Sequence, residues 1–183
     1  MAHQRGLPGL GAIVLLAVTV VLLVVQSCGE EDDGGQGDTG IPPPERGGER
    51  TSAEVLRVVD GDTIEVLFDG GEEDVRYIGI DTPESVAPNQ PVECFGHEAS
   101  DFNAELVEGE KVELVFDAEL RDRYGRLLAY VYVGDLFVNA ELVARGYART
   151  LEIEPNTSMA PRLERLEQSA GSAGRGLWGS CDA

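Results

Sequence analysis

Residues 54–84 read EVLRVVDGDTIEVLFDGGEEDVRYIGIDTPE, and three runs rich in β-branched residues stand out: Glu54 to Val59, Thr63 to Phe68 and Asp74 to Ile80. Asp60-Gly61-Asp62 and Asp69-Gly70-Gly71 separate them, and such Asp-Gly pairs between apolar runs mark tight hairpins. The stretch therefore predicts a three-strand meander. Downstream, His97 to Val107 places Ala99, Phe102 and Leu106 at helical spacing before Gly109. Lys111 to Phe116 and Leu127 to Val133 read as two further strands, joined by the polar turn Arg121 to Arg126. Asn139 stands where it could cap a short helix through Ala144, and Ser158 where it could cap a longer one with Pro161 in its first turn and Leu163, Leu166 and Ala170 on one face. Five short strands and three helices predict an α+β fold, a five-stranded OB-type β-barrel with three helices.

Upstream of the meander the composition changes. A single cation, Arg5, precedes a nearly unbroken apolar run from Leu10 to Val25, with no acidic residue before Cys28. This is the layout of an export signal, and the run is shorter than the roughly 20 residues of a spanning helix. Ser27-Cys28 resembles a bacterial lipoprotein cleavage site, although Gln26 departs from the usual small or apolar residue; an uncleaved anchor is the alternative. Residues 1–27 are read as the signal peptide, Cys28 as the lipidation site, 28–52 as a disordered acidic, Gly- and Pro-rich tether, and 53–183 as the folded domain. The expected location is extracytoplasmic in a bacterium, on the membrane through a lipid anchor or secreted, as a monomer. Acylation of Cys28 leaves Cys94 and Cys181, and an oxidising compartment favours a disulfide between them; two separate thiols are the alternative. Asn156-Thr157-Ser158 matches a glycosylation sequon, to which a bacterial-type export signal gives little weight.

The chain carries a formal net charge of −20, and from Glu54 onward 27 acidic residues face 11 basic ones. A polyanion reader normally has surplus cations. Any phosphate chemistry here must depend on a local positive patch, a divalent metal, or salt that screens the repulsion. Three carboxylates fall near strand tips: Asp62 after the first turn, then Asp81 and Glu84 around Thr82-Pro83. Hard oxygens suit Ca²⁺ or Mg²⁺. Singly each is an ordinary turn residue. Two arginines, Arg76 in the third strand and Arg126 after Tyr124-Gly125, change the balance, because guanidinium grips phosphate through two nitrogens.

Val58 to Thr63, Val75 to Glu84 and Asp122 to Tyr130 resemble, in order, the three signature segments of the staphylococcal nuclease family. The likeness extends through Glu93 to Ala99, Val138 to Gly146 and Gly176-Leu177-Trp178. It implies Ca²⁺ held by Asp62, Asp81 and the main-chain carbonyl of Thr82, with Asp60 supporting these ligands. It also implies Glu84 as general base to the attacking water, and Arg76 and Arg126 as stabilisers of the phosphorane-like transition state. The implied activity is cleavage of DNA and RNA, preferentially single strands, to 3′-phosphate ends. The family's reference member follows its second helix with two base-stacking tyrosines, whereas Thr150 to Asn156 contains none. Weaker base binding is expected, with Tyr124 and Tyr147 as the remaining candidate cleft aromatics, each equally readable as a core residue. The competing class is a non-catalytic nucleic-acid- or calcium-binding OB-fold lipoprotein, which would not need the arginine pair.

Overall fold

The computed structural model describes residues 50–86 and 91–181. The export signal, Cys28 and the tether up to residue 49 lie outside the described residues. Strands β1 (Arg50–Asp60), β2 (Thr63–Phe68) and β3 (Gly71–Tyr77) form the expected meander, followed by the two-residue strand β4 (Ile80–Asp81). Helix α1 (Gly96–Val107), β5 (Lys111–Val115), β6 (Leu127–Val133), β7 (Leu136–Phe137), α2 (Val138–Arg145), β8 (Arg149–Thr150), α3 (Ala160–Ser172) and the single turn α4 (Leu177–Ser180) complete the chain. No described helix is long and apolar enough to cross a membrane.

The sheet runs β3-β2-β1-β5-β6-β7, and a parallel pairing of β3 with β6 closes it. The five long strands thereby form a barrel, and three helices of two turns or more pack around it, as the sequence predicts. Closure removes the open edges that a five-stranded sheet would expose. Ile64, Val66, Val75, Val112, Leu114 and Val131 are fully buried inside it. Each such side chain contributes about 1.5–3 kcal/mol relative to exposure.

Three local expectations change. The run read as one strand from Asp74 to Ile80 is divided, because Gly79 takes a left-handed φ of 80° and turns the chain between β3 and β4. Strand β1 begins at Arg50, where it pairs with Val115 of β5, so the ladder extends three residues ahead of Ala53. Neither Asn139 nor Ser158 caps a helix. Phe137 and Met159 occupy the N-cap positions without side-chain bonds. Asn139 is buried and instead accepts the Val131 N–H and donates to Ile78 O, both at 2.9 Å. Its amide thus braces the β3–β4 turn against β6, where burial makes a satisfied hydrogen bond worth more than a solvent-exposed cap. Pro161 does lie in the first turn of α3, and Leu163 and Ala170 are buried beneath it.

Cys94 and Cys181 are disulfide-bonded, 87 residues apart. Beside the bridge, the N–H of Leu177 in α4 donates to Gly146 O at 2.9 Å, docking the C-terminal segment on the end of α2.

Candidate active site

The β1–β2 and β3–β4 turns meet at one end of the barrel. Register places Thr63 opposite Arg76, and the Tyr77 N–H donates to Asp62 O at 2.9 Å. Arg76 therefore emerges beside Asp62. Its Nη1 lies 2.7 Å from Asp62 Oδ2 and donates to Ile80 O at 3.0 Å, while Nη2 donates to Asp81 Oδ1 at 2.7 Å. The Thr82 N–H donates to Asp62 Oδ2 at 2.9 Å. Asp62, Arg76, Asp81 and Thr82, picked out from separate segments, form one connected cluster. Neighbouring protein mass raises the Asp81 carboxyl above its ordinary value, the Arg76 cation opposes this, and the charges of Asp62 and Glu93 add to the rise.

Gly61 is required by this junction. A Cβ there would lie 2.6 Å from Thr82 Oγ1 and 2.8 Å from Thr82 Cβ, closer than atoms approach. The Asp-Gly-Asp turn is thus shaped by close packing as well as by hairpin chemistry.

Asp60 sits behind the cluster. Its Oδ1 accepts the Gly61 N–H at 2.8 Å and the Ser85 hydroxyl, and its carboxyl shares a hydrogen bond with that of Glu84. Burial lifts Asp60 to about 6, with the Glu84 hydrogen bond and the Asp62 charge adding to the rise and the Ser85 and Gly61 donors opposing it. Glu84 is thus tied to the back of the acidic cluster through Asp60. It also accepts the Val86 N–H through Oε1 at 2.9 Å.

Arg126 comes from a separate loop that leads into β6. The Asp122 carboxylate organises that loop: Oδ1 accepts the N–H groups of Tyr124 (2.9 Å) and Arg126 (3.0 Å), and Oδ2 accepts Arg126 Nε at 2.7 Å. Burial would raise the Asp122 carboxyl, but the Arg126 side chain and the two turn amides outweigh it and hold it below the ordinary value. The parallel pairing of Arg76 with Leu128 brings this loop to the Arg76 end of the barrel. Both arginines line one cleft of about 530 Å³, together with Tyr124, Leu151, Ile153 and Asn156.

Tyr124 is 69% exposed, with Arg123 stacked on its ring at 4.7 Å. Tyr147 instead stacks on Phe102 at 4.2 Å and against Phe95, away from the cleft lining. Of the two candidate aromatics, Tyr124 alone faces the cleft. The cleft lining also carries aliphatic Leu151 and Ile153, in the segment that lacks tyrosines. The Asn156 amide is committed to Glu119, accepting its N–H at 2.7 Å and donating to its carbonyl at 2.8 Å, so the sequon asparagine is a brace.

Residues 74–180 match the family model described as staphylococcal nuclease homologue. The chain belongs to the staphylococcal nuclease family. It is 44% identical over 124 residues to a thermonuclease of Staphylococcus hyicus, covering 68% of this chain and 73% of that one. It is 37% identical over 166 residues to a thermonuclease of Staphylococcus intermedius, covering 91% and 95% respectively. It is 44% identical over 124 residues to endonuclease YncB of Bacillus subtilis (strain 168), covering 67% and 59%. Membership makes this chain a nuclease-type hydrolase.

The donor set fits a hard divalent cation. Two carboxylates from separate strand ends converge on one guanidinium, and the buried Thr82 hydroxyl beside them makes no hydrogen bond among the described residues. No group of three or more His, Cys, Asp or Glu side chains gathers as a metal site among those residues.

Three site-building residues escaped sequence reasoning. Asp122 stood inside a quoted segment as an unremarkable turn acid, and its i, i+4 spacing to Arg126 was the available signal. Asn103 is fully buried; it accepts the Tyr77 hydroxyl at 3.0 Å and donates to Asp60 O at 3.1 Å, bracing the first turn. Its position on the apolar face of α1, beside Ala99, marked it as a polar residue with buried work to do. Glu93 accepts the Glu84 N–H at 3.1 Å, and nothing in the local pattern announced it.

Proposed function

We propose that this chain is a calcium-dependent nuclease that hydrolyses phosphodiester bonds of DNA and RNA outside the cytoplasm. It would be a monomer held at the membrane through lipidated Cys28 or released from it, with single strands as the better substrates. One observation carries the reading: Arg76 and Arg126, delivered by different strands, line the same cleft beside the Asp62–Asp81 pair. A domain that only bound calcium would have no use for that convergence. The names of the thermonuclease and endonuclease relatives support the same class of substrate.

In this reading Arg126 offers the scissile phosphate its two terminal nitrogens, since Nε is occupied by Asp122. Arg76 adds a second cation from the barrel wall, and together they stabilise the charge gathered on five-coordinate phosphorus. Glu84 accepts the proton of the attacking water. Arg126 also assists the departing 5′-oxygen, leaving a 3′-phosphate. Asp62, Asp81 and the Thr82 carbonyl would hold Ca²⁺, which would supply positive charge to the phosphate and acidity to a nearby water.

The single-stranded preference follows from access, because a base in a duplex cannot stack on Tyr124. The purified protein should cut single-stranded DNA and RNA with Ca²⁺ and stop in excess chelator, and Glu84→Gln should lose at least about 100-fold in kcat. A folded parent protein inactive at every salt concentration would overturn this reading in favour of a binding module.

A further inference from the structure

The segment that carries Glu84 is closed on itself and then tied to the far end of the chain. Glu84 donates its N–H to Glu93 Oε2 at 3.1 Å, and Glu93 donates its own N–H to Glu84 O at 2.9 Å. Glu93 O in turn accepts the N–H of Gly96, the first residue of α1, at 3.0 Å. The contact with α1 is close: a Cβ on Gly96 would stand 2.6 Å from Glu84 O. Cys94, the residue after Glu93, is covalently bound to Cys181, which follows α4. The α4 turn is itself bonded to Gly146 at the end of α2.

Glu93 is exposed and Glu84 only partly buried, so the reciprocal bonds between them compete with water. Hydrogen bonds of that kind contribute little by themselves and open readily. A covalent tie one residue away changes this, because it restrains the Glu93 backbone against the α2–α4 frame and leaves the bracket little room to separate. The position of the Glu84 carboxylate follows from that backbone. A base displaced by about 1 Å can lose up to roughly 100-fold in rate without losing substrate affinity.

We propose that Glu93 and the Cys94–Cys181 bridge are positioning elements for Glu84, so that the nuclease reaches its full rate only with the bridge intact. The proposal rests on Glu84 being the base of the reaction. It makes an oxidising compartment a requirement of the full rate, through a bond that touches neither arginine nor the Asp62–Asp81 pair.

The test uses the full chain in detergent. It measures kcat and KM on single-stranded DNA, amide hydrogen exchange of the peptide spanning Glu84, and thermal melting. Glu93→Ala and the double variant Cys94→Ser/Cys181→Ser should each lower kcat about 10-fold with KM within about two-fold, and should speed exchange at Glu84. Glu93→Gln keeps a side-chain oxygen able to accept the Glu84 N–H and should recover most of the loss. Combining Glu93→Ala with the double serine variant should fall no further than the slower of the two, as expected of residues acting on one group.

A folded double-serine protein with parental kcat would overturn the proposal. So would a Glu93→Gln variant as slow as Glu93→Ala, or a loss that appears in KM alone. If the double-serine chain melts below the assay temperature, Glu93→Ala decides by itself, since it leaves the bridge in place. Glu84→Gln separates the two levels: an active Glu84→Gln sinks the base assignment and this proposal together, whereas an inactive one beside a fully active Glu93→Ala sinks this proposal alone.

Discussion

Arg76 and Arg126 line the same cleft and are held in opposite ways. Arg76 rises from the penultimate position of β3, and its terminal nitrogens reach Asp62, Asp81 and the Ile80 carbonyl. Arg126 stands on a loop, and the Asp122 carboxylate takes only Nε. Its two terminal nitrogens make no hydrogen bond among the described residues. The same side chain is therefore half of an ion-pair network at one position and an open fork at the other. A ligand must compete with two carboxylates for Arg76, whereas Arg126 presents its charge already oriented. In a chain of net charge −20 this local arrangement matters more than the overall sign, since exposed charges beyond about 10 Å are screened in ordinary salt.

The largest test of that contrast replaces each arginine by lysine. Both Arg76→Lys and Arg126→Lys should lower kcat by two to five orders of magnitude, roughly the range for lost transition-state cations. Stability should separate them. Arg76→Ala leaves buried Asp62 without its cation and should cost about 2 kcal/mol in chelator, measured by urea unfolding, with added Ca²⁺ restoring part of it. Arg126→Ala should lower the midpoint far less, because the Asp122 carboxylate keeps the turn amides of Tyr124 and residue 126. Equal destabilisation by the two would break the distinction between a clamped and an open guanidinium.

Asp122 is the next lever, because it orients Arg126 and closes its turn. Asp122→Ala should reduce kcat about 10- to 100-fold, while Asp122→Asn keeps an oxygen for the turn amides and should lose less. Steady-state kinetics on a short oligonucleotide distinguish the two outcomes. A parental rate in Asp122→Ala would mean that Arg126 orients itself.

A smaller effect is expected on the aliphatic wall. Ile153 is 61% exposed at the cleft, and Ile153→Tyr would add an aromatic face to the lining that holds Tyr124. Stacking is worth about 1–3 kcal/mol per base, so KM for single strands should fall at least about five-fold with kcat unchanged. An unaltered KM would show that bases do not lie along this wall.

The smallest prediction concerns acid. The Asp122 carboxyl is held below its ordinary value, so the stability it adds is complete above the unfolded value near 3.9. It is lost as pH falls through the lower folded value, where Asp122 takes up its proton. Asp122→Asn should accordingly narrow the gap between urea midpoints at pH 6 and pH 2.5. A gap as wide as the parent's would assign acid sensitivity to other carboxylates.

Much of the fold was legible because its strands are short and punctuated. The two Asp-Gly turns, the alternation of Ala53 and Val55 with exposed neighbours, and the run Leu127 to Val133 depend on local backbone preferences that act within a few residues. The same locality explains the misreadings. Asn139 and Ser158 look like helix caps, since capping needs only the next turn, but Asn139 found stronger partners 8 and 61 residues away in Val131 and Ile78.

The site divides along the same line. Its chemistry, two arginines and a set of oxygen ligands, was readable from residue types and the resemblance they carry. Chain order alone determined the meander, the helix periods and an odd cysteine count consistent with one remaining pair. Only the closed barrel decided that Arg76 pairs with Leu128 and so shares a cleft with the Arg126 loop, that Asp122 grips one arginine while two acids grip the other, and that Cys94 meets Cys181 beside Glu84. Those contacts join segments tens of residues apart. Their geometry is set by packing and strand register, which no local preference encodes.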